Sequence, residues 1–159
     1  MSIRNKRLLK EQHSLDKYEL HWPEDWVHHE IVKIQTVQKD MLISLHIGYK
    51  YPFVFPKLYV HPDFKKGIDY ITWFLNLKRK NKDIIDKMGL NVDCVCCENI
   101  TCNWAPSYGI SNMIEDFNKN YIIYNTLDKF RIIYQKINRF DDLIYKNIIL
   151  YLYNGNTKS

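Results

Sequence analysis

Alternation of the strand type is confined to one block of this chain, and helical spacing lies on both sides of it. Ile31, Lys33, Gln35 and Val37 alternate with Val32, Ile34 and Thr36, and residues 41–47 are β-branched and apolar. Gln38-Lys39-Asp40 forms a plausible turn, so two antiparallel strands are predicted. Tyr51-Pro52-Phe53-Val54-Phe55-Pro56 is bracketed by prolines, which cannot donate to a central ladder. Lys57 to Val60 is short and extended and completes a meander of about three strands.

The flanks read differently. Residues 4–17 contain good helix formers, with Leu8, Leu9 and Leu15 as an apolar side. A loop follows through Trp22-Pro23-Glu24-Asp25-Trp26. From Gly67 to Gly89, Ile68, Ile71 and Leu75 keep helical spacing. A basic break at Lys78-Arg79-Lys80 precedes a second set, Ile84, Ile85 and Met88, giving one helix or two short ones. Ile110, Met113, Ile114 and Phe117 stand at i, i+3, i+4 and i+7, an amphipathic helix. Leu127, Phe130, Tyr134 and Ile137 repeat the spacing after an Asn125-Thr126 cap, and Asp141-Asp142 opens a last helix through Leu143, Ile144, Ile148 and Tyr151. Strands gathered first and helices later predict an α+β domain rather than an alternating α/β sheet. With 159 residues, 46% of them hydrophobic, the chain reads as a single domain over 1–159 with a proper core.

The net charge of +5 is unevenly spread: residues 1–18 carry +3 and residues 65–87 carry +4, which leaves the remainder at −2. Such patches steer acidic partners, although each taken alone reads most simply as a solvated helix face. No aromatic-glycine motif of the RNA-binding kind accompanies them, which argues against nucleic acid. The basic start, Met1-Ser2-Ile3-Arg4-Asn5-Lys6-Arg7, leads into mixed charge rather than an apolar run, so neither a secretory signal nor a membrane span is read. A reducing compartment, cytoplasmic or nuclear, is therefore expected. There a thiol cluster points to catalysis or metal binding before disulfides.

All four cysteines fall in one such cluster, Cys94, Cys96, Cys97 and Cys102, in a segment that reads as loop and ends two residues before Trp104. Two chemistries compete: a selected nucleophile among thiol neighbours, or zinc held by Cys94, Cys96 or Cys97, and Cys102. Structural zinc sites usually draw on two separated pairs, whereas four ligands from nine residues, two of them adjacent, is strained geometry. A site of three cysteines and one histidine could use His28, His29 or His61. No cofactor is expected on the first reading, and zinc on the second.

Three segments in order resemble the ubiquitin-conjugating enzymes. They are Arg7-Leu8-Leu9-Lys10-Glu11, then Tyr51-Pro52-Phe53 with Pro56-Lys57-Leu58, and then Val95-Cys96-Cys97-Glu98-Asn99-Ile100 leading to Trp104-Ala105-Pro106-Ser107 and Ile110. Cys96 stands eight residues before Trp104, the family's offset, and the other three cysteines are out of step. The resemblance spans most of the first 117 residues. The Cys-x-Cys-Cys and Trp-x-Pro combinations are similar to those of divergent, virus-encoded members, and the excess of Ile, Asn, Lys and Tyr suits an AT-biased genome.

The resemblance implies a ubiquitin-conjugating-like fold, with residues 67–89 as a helical insertion. It also implies a transferase that carries ubiquitin or a ubiquitin-like modifier as a thioester on Cys96 until a lysine amine takes it. Such a thiol needs partial exposure more than strong acidity. An activating enzyme would meet Arg4, Lys6, Arg7 and Lys10, and a ubiquitin ligase would meet Phe53, Phe55, Trp104, Pro106 and Ser107. For the aromatics, and for Trp104 above all, buried packing is the competing reading. The family's His-Pro-Asn, whose amide is associated with the oxyanion, finds only His61-Pro62-Asp63, 35 residues before Cys96. Either 67–89 is inserted between motif and cysteine, or the His-Pro is coincidence; coincidence is preferred, because insertion would erase most of the last strand. An ionised Asp63 would repel an oxyanion, and Asn91 or Asn99 is the substitute donor. These departures keep open a catalytically silent member of the same fold, acting as a binding module.

Overall fold

The computed structural model describes residues 1–36, 41–88, 100 and 103–136. The fold is α+β: five antiparallel strands in the order β1-β2-β3-β4-β5, with helices before and after them. The strands are β1 (Leu20–His21), β2 (Ile31–Thr36), β3 (Met41–His46), β4 (Lys57–His61) and β5 (Ile68–Asp69). In the register Ile34 opposes Ile43, Leu45 opposes Leu58 and Ile43 opposes Val60. Side chains alternate across a strand, so Val32, Ile34, Ile43, Leu45, Leu58 and Val60 all reach one face, where each is almost fully buried. Burial of each such aliphatic side chain contributes roughly 1.5–3 kcal/mol. Lys33, Gln35 and Lys57 project to the other face and are exposed. The edge strands β1 and β5 have two residues each, too few to show alternation, so only the three inner strands are legible in the sequence.

Helix α1 (Ile3–Leu15) starts where Ser2 can cap it, its hydroxyl accepting from Asn5 N at 3.1 Å. Its inner stripe is Arg4, Leu8 and Leu15, all buried, with Glu11 half-buried between them. Leu9, predicted on the apolar side, points outward.

Helix α2 (Tyr70–Lys80) begins after β5, not at Gly67, because the Asp69 carboxylate accepts from Ile71 N and Thr72 N. Ile68, assigned to the helical pattern, belongs to β5. The basic run Lys78-Arg79-Lys80 does not break the helix; it forms the last turn, where cations oppose the carbonyl end of the helix dipole. The break falls at buried Asn81, whose backbone N–H and side-chain amide both donate to Leu77 O, at 3.1 and 2.9 Å. Helix α3 (Lys82–Met88) follows and buries Ile84 and Ile85.

Helix α4 runs without interruption from Ile110 to Lys136. The predicted cap at Asn125-Thr126 is absent, because Thr126 Oγ donates back to Ile122 O at 2.8 Å, a bond made inside a continuing helix. Ile110, Met113, Ile114, Phe117 and Leu127 form its buried stripe. Tyr70 and Trp73 of α2 pack on Phe117 and Tyr121 of α4, with Trp73 and Tyr121 stacked at 6.3 Å and Tyr70 edge-on to Phe117 at 5.9 Å. The Tyr70 hydroxyl in that layer donates to Asp116 Oδ2 at 2.8 Å and accepts from Asn120. The predicted Gln38-Lys39-Asp40 turn and the helix opening at Asp141-Asp142 lie outside the described residues. Among the described residues no helix is long and apolar enough to cross a membrane.

Candidate functional site

Glu11 faces inward from α1, and its two carboxylate oxygens are claimed by two distant parts of the chain. Oε2 accepts from the Tyr51 hydroxyl at 2.6 Å, and Oε1 accepts from the backbone N–H of Ile110, the first residue of α4, at 3.0 Å. The first N–H groups of a helix have no partner within it, and the positive end of its dipole favours an anion. Gly109 precedes this contact so closely that an added Cβ would stand 1.8 Å from Glu11 Oε1. Its own N–H is taken by Asn112 Oδ1 at 2.8 Å.

Arg7, one turn before Glu11, completes the junction. Its guanidinium lies 3.8 Å from Glu11 Oε2 and donates to Tyr108 O at 3.0 Å and Ser107 O at 3.3 Å. Across the corner Trp104 Nε1 donates to Pro52 O at 2.7 Å, and the Trp104 ring packs 6.2 Å from Tyr51 and 5.8 Å from Tyr108. The Tyr51-Pro52 peptide bond is cis. Trp104 is thus a half-buried packing residue, and Pro106 and Ser107 beyond it are exposed.

Burial raises the Glu11 carboxyl above its ordinary value, against the opposing pull of Tyr51, Ile110 and Arg7. The Tyr51 phenol is pushed well up, first by burial and then by the hydrogen bond and charge of Glu11. A phenol so placed stays protonated and serves as a donor. With both carboxylate oxygens and the phenol engaged in bonds between elements, the junction orients chain segments.

The predicted partner-binding residues separate into two sets. Lys6 and Lys10 are exposed on α1, and Phe53 is 64% exposed in a turn with Tyr49 and Val54, also exposed. Phe55 is half-buried. Arg4 departs from the surface reading altogether. It is 8% exposed, and its guanidinium donates to Ile47 O at 2.8 Å and to Val27 O and His29 O, both at 2.5 Å. Burial lowers its pKa and Glu30 opposes the shift. Arg4 ties α1 to the end of β3 and to the 3-10 turn Trp26–His28, so it is not free to meet a partner.

His61 is the last residue of β4, and Pro62 opens the 3-10 turn Pro62–Phe64. His61 Nδ1 lies 3.0 Å from Lys65 O, and a carbonyl can only accept, so Nδ1 carries the proton. Nε2 is then the acceptor for the Ser44 hydroxyl, also at 3.0 Å. An added Cβ at Gly67 would come 2.8 Å from the ring, so the glycine permits the close approach. All five residues of β4, His61 included, are paired with β3. Cys94, Cys96, Cys97, Cys102, Asn91 and Asn99 lie outside the described residues. Among the described residues no group of three or more His, Cys, Asp or Glu is arranged to hold a metal.

In the sequence Glu11 stands only as part of the helix motif Arg7-Leu8-Leu9-Lys10-Glu11. What marks its role is a carboxylate placed on the inner stripe of α1, four residues after Leu8's neighbour Arg7 and four before Leu15, where an apolar residue is the norm. Compared with known proteins, the chain matches no family model, no curated protein and no solved structure.

Proposed function

We propose that the chain is a divergent ubiquitin-conjugating-type protein that carries ubiquitin or a ubiquitin-like modifier as a thioester on Cys96. One observation carries the reading. The three segments of the resemblance are separated by tens of residues, and the single carboxylate of Glu11, in the first, accepts one hydrogen bond from the second (Tyr51) and one from the third (Ile110). Motif matches that arose by chance would have no reason to converge on one group. The continuity of β4 up to His61 favours the helices of 70–88 being an insertion in such a fold.

The chemistry is two acyl transfers. The Cys96 thiolate attacks the thioester between the modifier's C-terminal carbonyl and the activating enzyme, whose thiolate leaves; a lysine amine then attacks the new thioester, forms an isopeptide bond, loses a proton and expels the Cys96 thiolate. Asn91 or Asn99 would supply the amide donor. Lys6 and Lys10 offer the activating enzyme a cationic helix face. The exposed turn with Phe53, together with the exposed Pro106 and Ser107, would offer a ligase an apolar grip.

The substitution of Asp63 for the family's amide favours a second reading, a silent member of the fold that docks partners on the same turn without carrying the thioester. Incubation of wild type and Cys96→Ser with ubiquitin, activating enzyme and ATP, followed by a non-reducing gel, separates the two. A thiol-sensitive adduct in wild type alone is expected. Its absence from folded protein, with activating enzymes from several sources, would leave the silent reading.

A further inference from the structure

Residues 16–30 hold five acids, Asp16, Glu19, Glu24, Asp25 and Glu30, against one lysine, Lys17, no arginine and three histidines, in a chain whose net charge is +5. Lys17 is already paired, 3.3 Å from Glu115 Oε1, and Glu30 acts on the buried Arg4. The other four acids are exposed, and none is bridged to a cation among the described residues.

Next to them lies an open groove of about 250 Å³, walled by Leu15, Trp22 and Trp26 and rimmed by Gln12, His13 and Asp16. The two indoles pack with centroids 4.5 Å apart and planes tilted by 37°. Nothing can enter between rings that close, so they form one continuous apolar wall rather than a cage. The volume falls below the roughly 300–1,000 Å³ of small-molecule sites, which suits one long side chain better than a nucleotide-sized ligand. Asp16 at the rim, with the acids that follow it along the chain, repels phosphate and attracts cations.

We propose that this groove docks a lysine- or arginine-bearing segment of a partner protein. The aliphatic stem of the basic side chain lies along the Trp22 and Trp26 wall, where its cation also meets the indole faces, and the charged head reaches Asp16 at the rim. The neighbouring acids attract further basic residues of the same segment. The inference is independent of the thioester reading.

The test is a titration of the full chain with a soluble peptide of alternating glycine and lysine, observed through the indole N–H resonances of its four tryptophans, Trp22, Trp26, Trp73 and Trp104. Signals of Trp22 and Trp26 are expected to shift and to saturate below roughly 1 mM peptide, while those of Trp73 and Trp104 stay in place. The matched glycine-glutamate peptide is expected to shift none of them. Asp16→Lys, at the C-cap of α1 where a cation suits the helix dipole, is expected to weaken binding roughly tenfold, because an attraction becomes a repulsion. Unmoved Trp73 and Trp104 signals in that variant report that the fold is intact. Shifts that do not saturate, or that are the same in Asp16→Lys, overturn the proposal.

Discussion

Gly109→Ala tests the Glu11 junction most sharply, because its sign depends on what stands opposite. The new Cβ would lie 1.8 Å from Glu11 Oε1 and 3.0 Å from Cδ, so the carboxylate has to withdraw by more than an ångström. Withdrawal breaks the 3.0 Å bond from Ile110 N and strains the 2.6 Å bond from Tyr51. Each bond to an ionised acceptor is worth about 1.5–3 kcal/mol, and the released carboxylate recovers some hydration. Loss of glycine's freedom in the unfolded chain returns about 0.4–1 kcal/mol. The net expectation is a loss of about 2–4 kcal/mol. In a Glu11→Ala background the obstruction is gone, and the same substitution should stabilise by about 0.4–1 kcal/mol. Urea unfolding of wild type, both single variants and the double variant, followed by far-ultraviolet circular dichroism, gives the coupling energy directly. Equal costs of Gly109→Ala in the two backgrounds would refute the placement of the carboxylate.

Two further outcomes follow from the buried charges. Arg4→Lys should cost about 2–4 kcal/mol in the same urea assay despite keeping the charge, because one ammonium cannot span three carbonyls, two at the 3-10 turn and one after β3, and at least one is left without its donor; a cost below about 0.5 kcal/mol, the scale of an ordinary surface change, would return Arg4 to the surface. Stability should also fall as pH rises from the ordinary carboxylate values, 4.5 for Glu11 and 3.8 for Asp116, to their raised native values. In that window the native state holds more protons than the unfolded chain, so the slope of stability with pH is negative. Glu115, held below its ordinary value by the Tyr18 hydroxyl, acts in the opposite sense, its contribution being lost as pH falls below 4.5. Unfolding free energies of wild type and Glu11→Gln across this range should diverge, with the wild type falling more steeply toward neutral pH; parallel curves would remove Glu11 as the source.

How much of this was legible in the sequence depended on whether a local pattern or a distant partner decides each residue. β2 was readable because one face is buried along its length, so its alternation is unbroken, and β3 because it is an apolar run buried through its centre. The first turns of α4 were readable for the same reason at helical spacing. β1 and β5 were not, since two residues carry no period, and their pairing comes from β2 and β4. Asn125-Thr126 looked like a cap because polar side chains compete for backbone bonds in either setting, and only the bond from Thr126 to Ile122 O shows that the helix continues. Lys78-Arg79-Lys80 looked like a break, yet three cations suit a last turn and the stop belongs to Asn81. Arg4 is the plainest failure. A cation on an amphipathic helix reads as solvent-facing, and the carbonyls that hold it belong to residues 27, 29 and 47.

Arg4 and Glu11 raise the same physical question, since both are charged groups on the inner stripe of α1, where apolar residues would pack at least as stably. What a charge provides there and a leucine does not is direction. An apolar side chain tolerates sliding of one element over another by an ångström, whereas the fork of Arg4 and the two oxygens of Glu11 are satisfied in one register only. The carboxylate fixes α1 against both the Tyr51-Pro52 turn and the start of α4. Trp104 then fixes that turn to the chain leading into α4 through the 2.7 Å bond to Pro52 O. Residues 103–110 therefore enter α4 through a corner held by hydrogen bonds to α1 and to the Tyr51-Pro52 turn. On the proposed thioester reading, the reactive thiol needs a reproducible place relative to the surfaces its partners would grip, proposed above as Lys6 and Lys10 and the Phe53 turn. A junction of directional bonds would meet that need, and on that reading it would account for the desolvation of a carboxylate at this point in place of a methyl group.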